Sequence, residues 1–169
     1  VMWCNTLFGD YPHYLPGVAG KEHGAFAGWY LLNYKKPVTV SSTLGSYFAN
    51  NAVDESIKTY WSAATAGKGE WIQTDLGNIS TVNAVQINYA DQDVEFLGKQ
   101  TTTYHQYKVY SSLDGRKWDV LIDKSNNKTD VPHDYVELAA PVQARYIRLE
   151  NIHMPTGKFA ISGLRVFGN

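Results

Sequence analysis

The chain has 169 residues, 44% of them hydrophobic and 18% charged, with 15 basic and 16 acidic side chains. That describes one globular domain, or one domain with an appendage, large enough to bury a core without disulfides or metal. The near-neutral charge argues against a general nucleic-acid binder, no apolar run approaches the ~20 residues of a membrane span, and the single cysteine, Cys4, excludes a disulfide framework or a multi-cysteine zinc site. The outlying figure is aromatic: 12 Tyr, 5 Trp and 6 Phe. Rings favour β-structure, and they also suit carbohydrate, whose C–H faces stack on them.

In chain order, Val1-Met2-Trp3 has neither the charged nor the apolar region of a signal peptide, so the chain is expected to be a mature product or an excised piece, and Trp3, Leu7 and Phe8, strand-like from the start, favour the piece. Residues 1–36 differ from the rest. They are rich in Gly, Pro and aromatics, and form an N-terminal segment that is either a linker or the end of a preceding domain, with 28–34 reading as a strand. From Pro37 on, short alternating runs predict strands at 38–42, 71–76, 82–89, 106–112, 118–122, 135–138, 144–151 and 162–167. Val85, Ile87 and Tyr89 share one face, as do Ile147 and Leu149. Asp114-Gly115 predicts a hairpin turn, and 51–57 a short helical turn. Strands of this number and spacing predict an all-β sandwich.

Catalytic signals are weak. His13, His23, His105, His133 and His153 are scattered without metal-ligand spacing and read as surface or loop residues. Gly67-Lys68-Gly69 lacks the rest of a phosphate loop, and Cys4 reads as a small buried apolar residue. Asp91, Asp93 and Glu95 form the densest acidic cluster. Nothing marks a separate general acid of the kind glycoside hydrolysis needs.

Two stretches carry a resemblance. One runs through Ala52-Val53-Asp54 and Thr59-Tyr60-Trp61-Ser62 to Trp71-Ile72-Gln73-Thr74-Asp75-Leu76-Gly77. The other joins 107–112, Leu113-Asp114-Gly115 and Trp118 to Ala144-Arg145-Tyr146-Ile147-Arg148-Leu149 and Leu164-Arg165-Val166-Phe167-Gly168. In order and spacing, residues 37–169 resemble the discoidin, or coagulation factor 5/8 type C, domain, and its bacterial members, the family 32 carbohydrate-binding modules. The resemblance implies a jelly-roll β-sandwich of about eight antiparallel strands with ligand loops at one end. It implies a non-catalytic module that targets an attached glycoside hydrolase, family 43-like or chitobiase-like, to a glycan. A protein-interaction or adhesion module on the same fold is the alternative, and a glycosidase is third. The expected partners are an oligosaccharide or polysaccharide and the attached catalytic domain. The expected state is a monomer and the expected location periplasmic, cell-surface or secreted. Trp61, Trp71 and Trp118 are expected to pack in or near the core, and Arg145 and Arg148 to be surface or ion-paired.

The family's galactose-binding trio does not carry over, because Ser62 and Ala90-Asp91 stand where it has a histidine and a Pro-Arg pair. A sugar site is expected instead on the long 90–103 connection and the 153–159 loop, from Asp91, Gln92, Asp93, Phe96, Tyr104, His105, His153 and Lys158. A single shallow site of this kind predicts a Kd of ~0.1–1 mM. The family also has a structural calcium, held by an acidic loop and a glutamate near the chain end. The spacing from Asp54 to Thr59 matches, but Gly163 occupies the glutamate position and Glu55 that of the loop glycine. The Asp54 carboxylate, the Thr59 hydroxyl and carbonyl, and the carbonyls of Asn51, Ser56 and Ser162 are the expected ligands, with weak calcium binding or an empty, hydrogen-bonded loop as the two outcomes.

Overall fold

The computed structural model describes residues 29–95 and 103–169. Eight antiparallel strands follow one another as β1 (Tyr30–Leu31), β2 (Val38–Val40), β3 (Trp61–Ser62), β4 (Trp71–Tyr89), β5 (Gln106–Ser112), β6 (Asp119–Asp123), β7 (His133–His153) and β8 (Ala160–Gly168). A 3-10 turn, Ala49–Ala52, precedes β3 and replaces the helical turn expected at 51–57.

The strands make one continuous hydrogen-bonded network folded over into two layers. β4 and β7 are each long enough to serve both. The first half of β4 pairs with β2 and with the second half of β7, from Trp71↔Glu150 to Asp75↔Tyr146. After an irregularity between Asp75 and Ser80, its second half pairs with the first half of β7 and with β8. One layer therefore runs β2, β4, β7, β5, β6, and the other β7, β4, β8, with β1 and β3 at the edges of β8. This is a jelly-roll β-sandwich. Two pairs of expected strands, 71–76 with 82–89 and 135–138 with 144–151, are each one bent strand.

The core follows from the alternation. Val85, Ile87 and Tyr89 of β4 point inward with Leu164 and Val166 of β8, and meet Ile72, Val109, Ile147 and Leu149 of the other layer. Trp61 is fully buried, edge-on to Phe159 at 5.4 Å, and its indole N–H donates to the Ser42 carbonyl at 3.1 Å. Burial of each such large side chain stabilises the fold by ~1.5–3 kcal/mol. Trp71 and Trp118 are half-buried on the outer face and enclose the Arg148 guanidinium, 4.5 Å and 4.2 Å from the two ring centroids. Arg148 is thus not the plain surface or ion-paired arginine expected: it is stacked between two indoles and donates to Gln73 Oε1 at 2.8 Å. Arg145 does pair, with Asp75 at 2.8 Å, which helps hold the Asp75 carboxyl below its usual range.

The described end of the N-terminal segment pairs with the sandwich. β1 pairs with the last strand, through Tyr30↔Gly168 and Leu31↔Phe167, and is shorter than the strand read at 28–34. Asn33 is buried, donates to the Leu164 carbonyl at 2.7 Å and accepts from the Val166 N–H at 2.9 Å. Asp114-Gly115 lies in the β5–β6 hairpin as expected, where the Asp114 carboxylate accepts from the N–H groups of Arg116 and Lys117.

Candidate functional site

β4 ends at Tyr89, β5 starts at Gln106, β7 both starts and ends beside them, and β8 starts at Ala160. The connections after β4 and β7, and the one before β7, therefore meet at one end of the sandwich. There they surround a cleft of about 480 Å³, within the range of small-ligand sites. Its floor is Tyr89 and His105, and its walls come from Asp91, Val94 and Glu95, from Asp130, Pro132 and His133, and from Met154, Pro155 and Thr156.

Backbone contacts bind the two expected loops together. The Lys158 N–H donates to the Gln92 carbonyl at 2.9 Å, and the Glu95 N–H to the Thr156 hydroxyl at 3.1 Å. Gly157 (φ +72°) sits against this junction, where a Cβ would collide with the Gln92 carbonyl oxygen and lie 2.9 Å from Val94. Only glycine meets both demands without strain.

The described sugar-site residues expected from sequence fall into three groups. Asp91 and His105 line the cleft. Gln92, Asp93 and Lys158 form a separate chain: Gln92 accepts from the Tyr60 hydroxyl at 2.8 Å and donates to Asp93 at 2.8 Å, and Asp93 pairs with Lys158 at 3.5 Å. Lys158 also donates to the Ala64 carbonyl, and Tyr60 stacks on Tyr47 with centroids 4.7 Å apart. Tyr104 packs over His153 at 4.9 Å beside the cleft. Phe96 lies outside the described residues.

His105 is more enclosed than a loop histidine on this surface would be. It stacks on Tyr89 at 3.9 Å, and its Nδ1 is buried without a protein hydrogen-bond partner. Burial holds its pKa down to about 4; Asp130 and Asp91 oppose this, and His153 acts in the same direction as burial. At neutral pH it is an uncharged ring. Burial likewise pushes the Tyr89 phenol well above its usual range. The cleft lining among the described residues thus carries three carboxylates, Asp91, Glu95 and Asp130, and no lysine or arginine.

Sequence reasoning missed Asp130, Pro132, His133, Met154 and Tyr60. The turn signals around 126–132 were visible, but which loop they would face depends on β7 returning beside the end of β4. Tyr60 lies within a recognisable motif, yet its link to Gln92 spans 32 residues of sequence separation.

Of the oxygens expected to bind calcium, the Asp54 carboxylate, the Thr59 hydroxyl and the Ser56 carbonyl lie together, the hydroxyl 2.7 Å from Asp54 and 3.4 Å from the Ser56 carbonyl. Asp54 accepts from the Ser56 N–H at 2.8 Å and from the Thr59 hydroxyl at 2.7 Å. The Asn51 amide donates to the Tyr60 carbonyl, and the Ser162 hydroxyl to the Asn88 carbonyl. Among the described residues no three or more His, Cys, Asp or Glu side chains are grouped so as to hold a metal ion between them.

Among the described residues no helix is long and apolar enough to cross a membrane. A search of curated proteins returned no match. Among solved structures, the chain is similar to chitosan-binding module 1 of a chitosanase/glucanase from Paenibacillus sp. IK-5, at 24% identity, covering 82% of this chain and 99% of that one, with a TM-score of 0.67. It is similar to module 2 of that enzyme, solved with chitotriose, at 21% identity over 81% of this chain and 99% of that one, with a TM-score of 0.68. A third is the family 32 carbohydrate-binding module of C. perfringens NanJ, solved with galactose, at 16% identity over 82% and 98%, with a TM-score of 0.66. These likenesses establish a common fold. The family model for the F5/8 type C domain matches residues 37–162, which hold the Thr59-to-Trp61 motif, most of the paired strands and the cleft, and the chain belongs to that family.

Proposed function

We propose that the chain is a non-catalytic carbohydrate-binding module that binds a glycan in the cleft at the loop end and holds a linked glycoside hydrolase close to its substrate outside the cell. The observation that carries this reading is the cleft itself. It combines carboxylate acceptors for sugar hydroxyls with apolar walls from Val94, Met154 and Pro155, on a rigid β scaffold. Tethering through such a site raises the effective substrate concentration for the linked enzyme. Sugar binding by similarly folded modules, seen in the chitotriose and galactose complexes, supports it.

The lining narrows the ligand. With three carboxylates, an uncharged His105 and no lysine or arginine among its described side chains, the cleft disfavours uronic acids and favours neutral or amine-bearing sugars. Calorimetry on the whole chain with galacto-, gluco-, xylo-, glucosamine and N-acetylhexosamine oligosaccharides tests this, with an oligouronate as the contrast. One neutral or amino-sugar series is expected to bind with a Kd of ~0.1–1 mM, about -4 to -5.5 kcal/mol. Asp91→Ala is expected to weaken it at least ~10-fold, the equivalent of one good charged hydrogen bond. Binding to none of the series, or binding that Asp91→Ala leaves intact, overturns the assignment. Hydrolysis of these sugars by the isolated chain, abolished by Asp91→Asn, overturns the non-catalytic reading.

A further inference from the structure

We propose that Tyr60 is a positioning residue for the glycan cleft: through Gln92, Asp93 and Lys158 its hydroxyl ties the wall that follows β4 to the sandwich, and so sets how firmly Asp91 and Glu95 are presented to a sugar. The inference rests on the reading of the cleft as a carbohydrate site.

Tyr60 is a fixed point of the scaffold. The next residue, Trp61, is fully buried, the Tyr60 carbonyl accepts from the Asn51 amide at 3.1 Å, and the ring is stacked on Tyr47. From here the hydroxyl donates to Gln92 Oε1 at 2.8 Å, and the Gln92 amide donates to Asp93 at 2.8 Å. Asp93 pairs with Lys158 at 3.5 Å, and Lys158 donates to the Ala64 carbonyl at 3.2 Å. The chain of contacts leaves the scaffold just before β3, crosses both cleft loops and returns just after β3. None of Tyr60, Gln92, Asp93 and Lys158 lines the cleft itself, whereas Asp91, Val94 and Glu95 do. The chain therefore acts on a sugar through its neighbours.

The wall needs such a tie. Of residues 91–95 only Gln92 is not exposed. A segment with so little burial opens at a low free-energy cost unless polar contacts hold it. Asp93 has φ +53°, a left-handed conformation that costs energy for a residue with a Cβ and persists where the surroundings fix it. It stands between Asp91 and the pair Val94 and Glu95, so a change in its backbone angles redirects the chain between the two carboxylates. A wall that is in place for only a fraction of the time lowers the apparent affinity by that fraction.

Tyr60→Phe is the test, since it removes the hydroxyl and keeps a ring on Tyr47. Calorimetry of the whole chain with the galacto-, gluco-, xylo-, glucosamine and N-acetylhexosamine oligosaccharides reads the effect. The Kd of the series that binds the wild type is expected to rise about 3- to 10-fold, with Tm lowered by no more than about 4 °C. A purely structural role would lower Tm and leave Kd unchanged. Gln92→Leu cuts the same chain from the loop side and is expected to weaken binding to a similar extent. The double variant is expected to bind no more weakly than the weaker single one, because one chain is cut twice. Should Tyr60→Phe fail to fold, Gln92→Leu reads the same link. Wild-type binding with a Kd unchanged in Tyr60→Phe or in Gln92→Leu overturns this proposal alone, as do additive losses in the double variant. A wild type that binds none of the sugars overturns the carbohydrate reading and the proposal with it.

Discussion

Lowering the pH is expected to destabilise this protein through His105. In the unfolded chain this ring has the ordinary histidine pKa of 6.5, while burial against Tyr89 holds it at about 4 in the fold. The unfolded state then takes up the proton first. Stability is full above the unfolded value and is lost as pH falls toward the folded one. With those two values, the loss is about 0.2 kcal/mol at pH 7 and about 2 kcal/mol at pH 5. Carboxylates held below their usual range, such as Asp75, titrate lower still and add little in this window. Urea unfolding at pH 7 and pH 5 of the wild type and of His105→Gln isolates the contribution. The wild type is expected to lose about 2 kcal/mol more than the variant between the two conditions. Equal losses, or an NMR titration of the His105 ring with an ordinary midpoint, would refute the reasoning.

Asn33→Ala removes both hydrogen bonds to the buried backbone of β8. The expected cost is ~2–4 kcal/mol by denaturant unfolding; a cost below ~0.5 kcal/mol, ordinary for a surface change, would mean that residues 30–34 do not share the sandwich's cooperative unit. Arg148→Lys keeps the charge but loses the planar stacking between Trp71 and Trp118 and the two-nitrogen contact to Gln73. It is expected to cost ~1–2 kcal/mol, and a neutral result would show that the indoles need only an aliphatic stem between them.

Much of the fold was legible because its signals are local. The alternation at 106–112 reproduces β5 in full, and the Asp114-Gly115 turn joins it to β6. The short strand at Trp61–Ser62 carried no periodic signal. It exists because Trp61 is anchored by Phe159 and the Ser42 carbonyl, and its edge pairs with Ile161. The continuity of β4 and β7 was equally hidden, since turn residues at Gly77-Asn78 mark a bend as readily as a break. The cleft was legible in part: loop length pointed to the connection after β4 and the family resemblance to the one after β7, but the opposite wall, Asp130 and His133, follows from strand order alone. Only the approach of β8 to the 51–59 loop brings Arg165 to Glu55, 110 residues away in sequence.

The central claim is that a glycan occupies the cleft at the loop end. Backbone amide NMR of the whole chain, titrated with the oligosaccharide that calorimetry selects, tests it most directly. The account predicts saturable shifts concentrated at Asp91, Glu95, Thr103, His105, Asp130 and Met154, around the cleft. Shifts centred on the outer face around Trp71, Trp118 and Arg148, with the cleft amides unmoved at saturation, would contradict it.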